Sequence, residues 1–286
     1  MLDQKQIDFY HNQGYLGVPD VLSADEVEEL RRTTDEFVAN SREGSEHDDV
    51  YDLEPGHTAD EPRVRRIKMP HLQHPSYDRA MRHPKIVQIA DQLIGPGIRS
   101  RGTKLNMKSA GFGSPVEWHQ DWAFYPHTND DVLAVGIAID ELNEENGGLL
   151  VVPGSHTGPI HDHHENGYFV GAVTDTEIDP ADSVRIDVPA GGITIHHVRT
   201  MHGSAPNRSG SPRRLMLIEI CANDAWPLVD YKGLDDMETH LLSGSVTITP
   251  RLKDVPVRMP HPSYEGMSSI YDLQTKLEDR VLARQG

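Results

Sequence analysis

From about residue 97 onward, the chain consists of short apolar runs that are separated by Gly, Pro and Asn. The run 132–139 is apolar on both faces, as in a strand that is buried between two layers. Short strands with such turns are typical of a sandwich or jelly roll rather than a doubly wound sheet. No GxGxxG or P-loop motif follows any of these runs, which excludes the common nucleotide sites. The predicted strands are 99–108, 116–121, 132–141, 149–152, 184–188, 193–197 and 215–221.

The residues before this region are expected to be mostly helical. Ser23 and Glu26 have the spacing of a capping box, and an amphipathic run follows them. A second helix is predicted across 80–93, and Gly95-Pro96 ends it. The intervening stretch 43–63 is polar and lacks periodicity, which predicts a loop.

The 286 residues are predicted to form a single domain, since no convincing linker or repeat divides them. This domain would have a helical part at about 1–96, a β-rich core at about 97–225 and a C-terminal extension at about 226–286. The polar segment 156–182 interrupts the core, and its length predicts an active-site lid or a flexible loop.

Charge and composition narrow the class of partner. The formal net charge is −18, so the surface repels phosphate backbones and anionic lipid, and neither a nucleic-acid nor a membrane partner is expected. No apolar run approaches the length of a membrane span, and the first residues do not resemble a signal peptide. The one cysteine, Cys221, is expected to be inert in the core. A cytoplasmic protein with a small-molecule substrate is therefore predicted, while its oligomeric state is left open.

Histidine is unusually frequent, with 17 residues, and one of them belongs to the HxD sequence of His119 and Asp121. On a strand, residues two apart point the same way, so an imidazole and a carboxylate would lie side by side. A distant histidine would complete a two-His, one-carboxylate facial triad, which favours non-haem Fe(II). Alternatively, His119 is a hydrogen-bonded, partly buried residue and Asp121 is solvated.

A second segment supplies candidates for the third ligand. His196, His197 and His202 lie on or just after a predicted strand, and Arg213 opens the next strand. A guanidinium pairs bidentately with a carboxylate, so an iron site beside a buried arginine suits a 2-oxo dicarboxylic acid.

Three motifs occur here in one order and spacing: HQDWAFYP at 119–126, ENGGLLVVPGSH at 145–156, and HxxxxHGSxxNxSxxxR from His197 to Arg213. In these motifs the sequence resembles the phytanoyl-CoA dioxygenase family of Fe(II)/2-oxoglutarate-dependent oxygenases. The resemblance covers most of the chain. It implies an α+β, mainly β fold, with a double-stranded β-helix (jelly roll, cupin-like) core and flanking N-terminal helices.

The resemblance also implies roles for individual residues. Fe(II) would be held by His119, Asp121 and His202, which leaves His197 as a structural residue, and O2 would bind at the same iron. The C5 carboxylate of the co-substrate 2-oxoglutarate would pair with Arg213. Further co-substrate contacts are implied for Ser204, Asn106 and, on a looser alignment, Lys68.

Substrate contacts are less constrained by the motifs. Where the phytanoyl-CoA enzyme has tryptophan on the strand after HxD, this chain has Ile137, which puts phytanoyl-CoA itself in doubt. Asp121 is retained, whereas halogenating relatives lose this carboxylate, so halogenation is disfavoured. Candidate substrate residues, each of which is alternatively an ordinary packing residue, are Trp122, Phe124, Tyr125, His127, Arg199 and Trp226.

The predicted activity is therefore that of a 2-oxoglutarate-dependent non-haem iron dioxygenase. It would hydroxylate a small polar metabolite or natural-product intermediate and release succinate and CO2. The alternatives are a cupin-like metal-binding or regulatory protein without turnover, or an oxygenase that acts on an acyl-CoA or performs desaturation or epoxidation. A second metal site at His161, His163 and His164 is considered, but a solvated loop is the preferred interpretation.

Overall fold

The structure is a computed structural model, and it describes residues 1–258 and 269–285. The helices of this part are α1 Gln4–Gln13, α2 Ala24–Asn40, α3 Pro70–Gln73, α4 Pro75–Met81, α5 Pro84–Ile94, α6 Leu234–Thr239 and α7 Ile270–Gln274. The strands are β1 Tyr15–Val18, β2 Tyr51–Leu53, β3 Val64–Lys68, β4 Ile98–Lys108, β5 Val116–His119, β6 Val132–Ala138, β7 Leu149–Val151, β8 His164–Glu165, β9 Tyr168–Phe169, β10 Val184–Arg185, β11 Ile193–His197, β12 His202–Ser204 and β13 Arg213–Ala222.

The N-terminal helices follow the predicted capping, with one correction. Ser23 and Glu26 form the capping box at the start of α2, each side chain accepting a hydrogen bond from the backbone of the other residue. The prediction of a single helix across 80–93 is wrong, because the helix is interrupted between α4 and α5. Pro84 has no N–H to donate and disfavours a helical residue before it, so His83 leaves the helix and caps α5 instead.

The strands form antiparallel sheets. The large sheet has the order β1-β11-β6-β13-β4-β3-β2, a smaller one has the order β10-β7-β12-β5, and β8 pairs with β9. The loop predicted over 43–63 contains β2, which extends the edge of the large sheet. The strand predicted over 116–121 ends at His119, and a 3₁₀ helix begins at Asp121.

Residues that alternate along β6 separate two apolar layers. Ile137 belongs to the cluster that includes Ile86 and Ile89 of α5, whereas Ala138 packs with Leu149 and Val151 of the smaller sheet. Every residue of β6 is buried, which confirms that this strand lies between two layers. The helices therefore cover one face of the large sheet, and the smaller sheet covers the other.

The C-terminal residues pack against the smaller sheet. The Glu117 carboxylate on β5 accepts hydrogen bonds from the backbone N–H groups of Leu282 (2.8 Å) and Ala283 (3.0 Å). The side chain of Leu282 is fully buried with Trp118 and Met201. In the described part of the chain, no helix combines the length and apolar character needed to span a bilayer.

Candidate active site

A cavity of about 310 Å³ lies between the two sheets. Strands β4, β6, β11 and β13 of the large sheet contribute to its wall, and so do β5, β7 and β12 of the smaller sheet. The predicted residues that line it are His119, Asp121, Phe124, Tyr125, His202, Ser204, Arg213 and Asn106.

His119, Asp121 and His202 converge at this cavity. Strand β12 pairs with β5 so that His202 lies directly opposite His119, and their ring centroids are 4.0 Å apart. Asp121 Oδ1 lies 3.8 Å from His119 Nε2 and 3.9 Å from His202 Nε2. One ligand atom from each residue lies within 4.8 Å of the others. Because β5 ends at His119, this convergence does not come from strand alternation through Asp121; the turn into the 3₁₀ helix positions the carboxylate.

The orientation of both imidazoles leaves a lone pair for a metal ion. The Nδ1–H of His119 donates to the backbone oxygen of Glu117 (2.8 Å), and that of His202 donates to the oxygen of Thr200 (2.9 Å). A carbonyl can only accept, so these bonds fix the tautomer that carries its lone pair on Nε2. Asp121 Oδ2 lies 3.3 Å from His196 Nε2, which orients the carboxylate from behind.

The protonation states fit a divalent cation. Burial lowers the pKa of His119 to about 4 and that of His202 well below its usual value, so both rings are neutral at neutral pH. Burial alone would raise the pKa of Asp121, but the net shift is downward because of His202, the hydrogen bond from His196, and Lys104. Two neutral imidazoles and one carboxylate form the donor set that is typical of non-haem Fe(II).

Arg213 supplies a positive charge elsewhere on the cavity wall. Its side chain is buried, and burial lowers its pKa. Its one described hydrogen bond runs from Nη2 to the Gly147 oxygen at 3.4 Å, and Nε has no partner. No carboxylate among the described residues forms an ion pair with it. An unpaired buried guanidinium is costly without an anion, so this group is suited to bind a ligand carboxylate.

Two further predicted residues line the same cavity as Arg213. Ser204 does so from β12. Asn106 also lines the cavity, and its Oδ1 accepts a hydrogen bond from Nε of Arg66 at 3.0 Å. Lys68 is not brought into this cavity; its Nζ binds Asp52 Oδ1 at 2.9 Å and the Asp48 oxygen at 2.6 Å. Arg66, two residues earlier on β3, lines the cavity instead.

Of the predicted substrate residues, Phe124 and Tyr125 line the cavity. The ring of Phe124 meets that of His119 edge-on at 5.9 Å, and the Arg101 guanidinium lies 4.4 Å from the centre of the Tyr125 ring. Four others have structural contacts outside the cavity. Trp122 donates to the Pro256 oxygen and His127 to the Tyr125 oxygen; Arg199 pairs with Asp130, and Trp226 donates to the Thr247 oxygen.

Several cavity residues lie outside the recognised motifs. Glu219 on β13 forms ion pairs with Arg101 (2.9 Å) and Lys104 (3.1 Å), both of β4. In the sequence, the one indication of this ion-pair cluster is a carboxylate within the apolar run 215–221. Tyr271 of α7 also lines the cavity, and no local pattern in the C-terminal extension marks it.

The histidine-rich segment is not a solvated loop throughout, because His163 is buried. Its Nε2 accepts a hydrogen bond from the backbone N–H of Gln120 at 2.9 Å. Among the described residues, the one group with metal-ligand spacing is that of His119, Asp121 and His202. Phe169 of the same segment packs against Phe124 at 5.0 Å, behind the cavity wall. A lid role for 156–182 stays a prediction.

A family model for phytanoyl-CoA dioxygenase (PhyH) matches residues 10–215. This range contains His119, Asp121, His202 and Arg213, but not Glu219 or Tyr271. The chain belongs to the phytanoyl-CoA dioxygenase family. As a member of that family it is a 2-oxoglutarate-dependent non-haem iron dioxygenase, which uses Fe(II), 2-oxoglutarate and O2.

Three similar proteins place this dioxygenase within the family. It is 36% identical over 277 residues to a probable alpha-ketoglutarate-dependent hypophosphite dioxygenase of Stutzerimonas stutzeri, covering 95% of this chain and 96% of that one. It is 31% identical over 231 residues to L-proline trans-4-hydroxylase of Streptomyces griseoviridis, covering 73% and 82%. The structure of EctD from S. alaskensis with bound Fe has the same fold, with a TM-score of 0.67, 22% identity, and coverage of 81% and 82%.

Proposed function

We propose that His119, Asp121 and His202 hold the Fe(II) of this dioxygenase, and that Arg213 and Ser204 bind the C5 carboxylate of 2-oxoglutarate. We propose further that its substrate is a small anion of the hypophosphite type. The convergence of the three ligand atoms supports the iron site, and the unpaired guanidinium of Arg213 supports the co-substrate site. The two facing sheets support a double-stranded β-helix, and the packing of Leu282 supports a single domain over 1–286.

Fe(II) held by His119, Asp121 and His202 would supply O2 activation, coupled to the decarboxylation of 2-oxoglutarate to succinate and CO2 and to transfer of one oxygen atom to the substrate. The protein positions the reactants. The hydrogen bonds from His119 and His202 to backbone oxygens hold both rings in place before any ligand arrives. Phe124 and Tyr125 provide apolar surface next to the ligands, which keeps water from the reacting atoms.

The length of β13 separates Arg213 from a second group of cations in the cavity. Arg213, Leu215, Leu217 and Glu219 all line it, as alternate residues of one strand do. Arg213 and Glu219 are six residues apart, which corresponds to roughly 20 Å along the strand. Glu219 is paired with both Arg101 and Lys104, and Arg101 also lies 3.7 Å from Asp230, so this second region places two cations among two carboxylates. With 2-oxoglutarate bound at Arg213, the cations beside Glu219 remain for an anionic substrate.

The space next to the metal ligands favours a small substrate, although a second cavity of about 610 Å³ shares Arg101, Lys104 and Glu219 with it. At about 310 Å³ the first cavity is at the lower end of ligand pockets, and the co-substrate occupies part of it. An acyl-CoA is therefore disfavoured. Similarity over nearly the whole chain to the hypophosphite dioxygenase, together with the cations beside Glu219, supports hypophosphite as the first substrate to test.

The test is an aerobic assay of Fe(II)-loaded protein with 2-oxoglutarate and either hypophosphite or L-proline, in which succinate, phosphite and hydroxyproline are quantified. We expect phosphite and succinate in equal amounts with hypophosphite, and no hydroxyproline. Asp121→Ala is the control without turnover. Hydroxyproline formation would contradict the anionic substrate, and the absence of succinate under all conditions would support a binding protein without turnover.

A small-molecule substrate is part of this proposal, and nothing in it requires a nucleic-acid or membrane partner. A cytoplasmic location stays a prediction, which cell fractionation tests.

A further inference from the structure

The hydroxyl of Tyr271 is a polar group for which the described chain offers no hydrogen-bond partner. Tyr271 is only 6% exposed, and it lines the same cavity as Arg213 and Ser204. The hydroxyl is not among the fully buried unpaired groups, so it is accessible from the cavity, where a phenol can donate a hydrogen bond to a ligand. A ligand at this end of the cavity would supply the missing acceptor.

Two arginines of β3 hold the ring in position. The guanidinium of Arg65 lies 4.8 Å from the ring centre and that of Arg66 lies 5.6 Å from it. Arg65 also pairs with Asp272, the next residue on α7, at 3.6 Å. Tyr271 therefore cannot turn away from the cavity without breaking these contacts.

The end of α7 is tied to the strand that carries His119. Gln274 Oε1 accepts a hydrogen bond from the backbone N–H of Glu117 at 2.9 Å, and its Nε2 donates to the Gly171 oxygen at 3.0 Å. Gln274 is itself buried. Movement of Tyr271 is thus coupled to β5, and the hydroxyl is held in place before a ligand binds.

The charges around the hydroxyl indicate which ligand it would meet. Burial raises the pKa of Tyr271; the positive charges of Arg66, Arg213 and Arg65 oppose this rise, and the Glu54 carboxylate adds to it. The hydroxyl stays protonated at neutral pH and is available as a donor. A donor close to these cations is suited to an anion.

We propose that the Tyr271 hydroxyl donates a hydrogen bond to the C5 carboxylate of 2-oxoglutarate, next to Arg213, so that the C-terminal helix completes the co-substrate site. This inference rests on the proposed function, which places that carboxylate at Arg213. A carboxylate accepts several hydrogen bonds at once, so the phenol and the guanidinium do not compete for it. The co-substrate site then combines residues of β12, β13 and α7.

The test compares the dissociation constants of two 2-oxo acids in anaerobic calorimetric titrations of the Fe(II)-loaded protein. The first is 2-oxoglutarate, and the second is 2-oxopentanoate, which has a methyl group in place of the C5 carboxylate. Tyr271→Phe should weaken 2-oxoglutarate binding about tenfold, as expected for a hydrogen bond to a charged group, and leave 2-oxopentanoate binding within twofold of wild type. The matched control is Tyr168→Phe, because Tyr168 is 65% exposed and lies outside the cavity.

The outcomes separate a direct hydrogen bond from a structural effect. Equal weakening of both acids by Tyr271→Phe would show that the ring only shapes the wall, and would overturn the inference. Unchanged 2-oxoglutarate affinity would overturn it as well. If wild-type protein bound no 2-oxoglutarate, the proposed function would fail and the inference with it, whereas wild-type binding with an unaffected variant rejects the role of Tyr271 alone.

Discussion

Arg213 and Arg214 are consecutive residues of β13, yet their guanidinium groups lie on opposite faces of the large sheet. Arg213 is buried in the cavity, where no described carboxylate pairs with it. Arg214 makes a two-point contact with Asp140, from Nε to Oδ2 at 2.7 Å and from Nη2 to Oδ1 at 2.8 Å. Because successive side chains of a strand point to opposite faces, Arg213 is available to a ligand whereas Arg214 forms a structural ion pair.

This separation predicts different effects of the same substitution at the two positions. Arg213→Lys keeps the charge but loses the planar fork, so the affinity for 2-oxoglutarate should fall roughly ten- to a hundredfold. Arg214→Lys should leave that affinity unchanged, although it weakens the contact with Asp140. Both variants are to be titrated anaerobically with 2-oxoglutarate while the metal-to-ligand absorption band is followed. A larger effect at Arg214 would contradict the proposed co-substrate site.

Removing any of the three convergent side chains should abolish turnover. His119→Ala, Asp121→Ala and His202→Ala are each expected to lose bound Fe(II), because two remaining donors hold the ion weakly. His197→Ala is the histidine control, since its ring accepts a hydrogen bond from the Arg199 backbone N–H at 3.1 Å, packs near Tyr10 and His156, and does not line the cavity. Iron per chain after anaerobic dialysis, together with succinate formation, checks both. Loss of iron in the His197 variant with retention in the His202 variant would reverse the assignment.

Lys104→Met tests the anionic substrate. It removes one of the two cations beside Glu219 and leaves Arg101 shared between Glu219 and Asp230. The KM for hypophosphite should rise about tenfold or more, while the affinity for 2-oxoglutarate at Arg213 stays within twofold. Lys85→Met, at an exposed lysine, is the control. An unchanged KM would place the substrate away from Glu219.

The buried histidines predict loss of stability in mild acid. Burial lowers the pKa of His127 to about 3, whereas in the unfolded chain it is about 6.5. The unfolded state therefore takes up a proton first, so the stability from this group is complete above pH 6.5 and decreases as the pH falls towards 3. The decrease is about 1.4 kcal/mol per pH unit in that interval.

His127→Gln should remove this dependence. Urea unfolding of metal-free wild type and variant at pH 7.0, 5.5 and 4.5 measures the difference, which should shrink as the pH falls. His11→Gln, at an exposed histidine, serves as the control. Parallel pH curves for wild type and His127→Gln would contradict the assigned burial effect.

Leu282→Ala tests whether the C-terminal residues belong to the same cooperative unit as the β core. The side chain is fully buried against Trp118 and Met201, so its truncation should cost about 2–5 kcal/mol of unfolding free energy. Leu252→Ala, at a side chain that is 76% exposed, should cost little. Chemical denaturation should show one transition in each case. An additional early transition in wild type would contradict the single domain.

Sequence reasoning succeeded where the information is local. The strand predicted over 193–197 has the bounds of β11, and the capping box of Ser23 and Glu26 is present because it depends on residues three apart. The convergence of His119, Asp121 and His202 was expected from family motifs, because the members of a family share a fold and therefore bring the same motifs together. The break at Pro84 was missed because the apolar periodicity continues across it.

The residues that sequence reasoning missed depend on strand register. Glu219 meets Arg101 and Lys104 because β13 pairs with β4 in one particular alignment, which opposes Glu219 to Gly102. No local pattern contains that alignment. Tyr271 lies more than fifty residues beyond Arg213, and only the docking of α7 brings the two to one cavity. His163 looked solvated among polar neighbours, but the backbone of Gln120 gives it a buried partner.

The direct pairing of His202 with His119 across β12 and β5 has a consequence for how the protein acquires its metal. The spacing of the two imidazoles is set by the backbone hydrogen bonds of a sheet, so we expect little rearrangement of these two ligands when a metal ion binds. Little conformational entropy is then lost on loading, and the calorimetric signature should be dominated by ligation and dehydration of the ion. Such a rigid pair also discriminates among ions by the coordination geometry they tolerate, because the protein does not adapt to them.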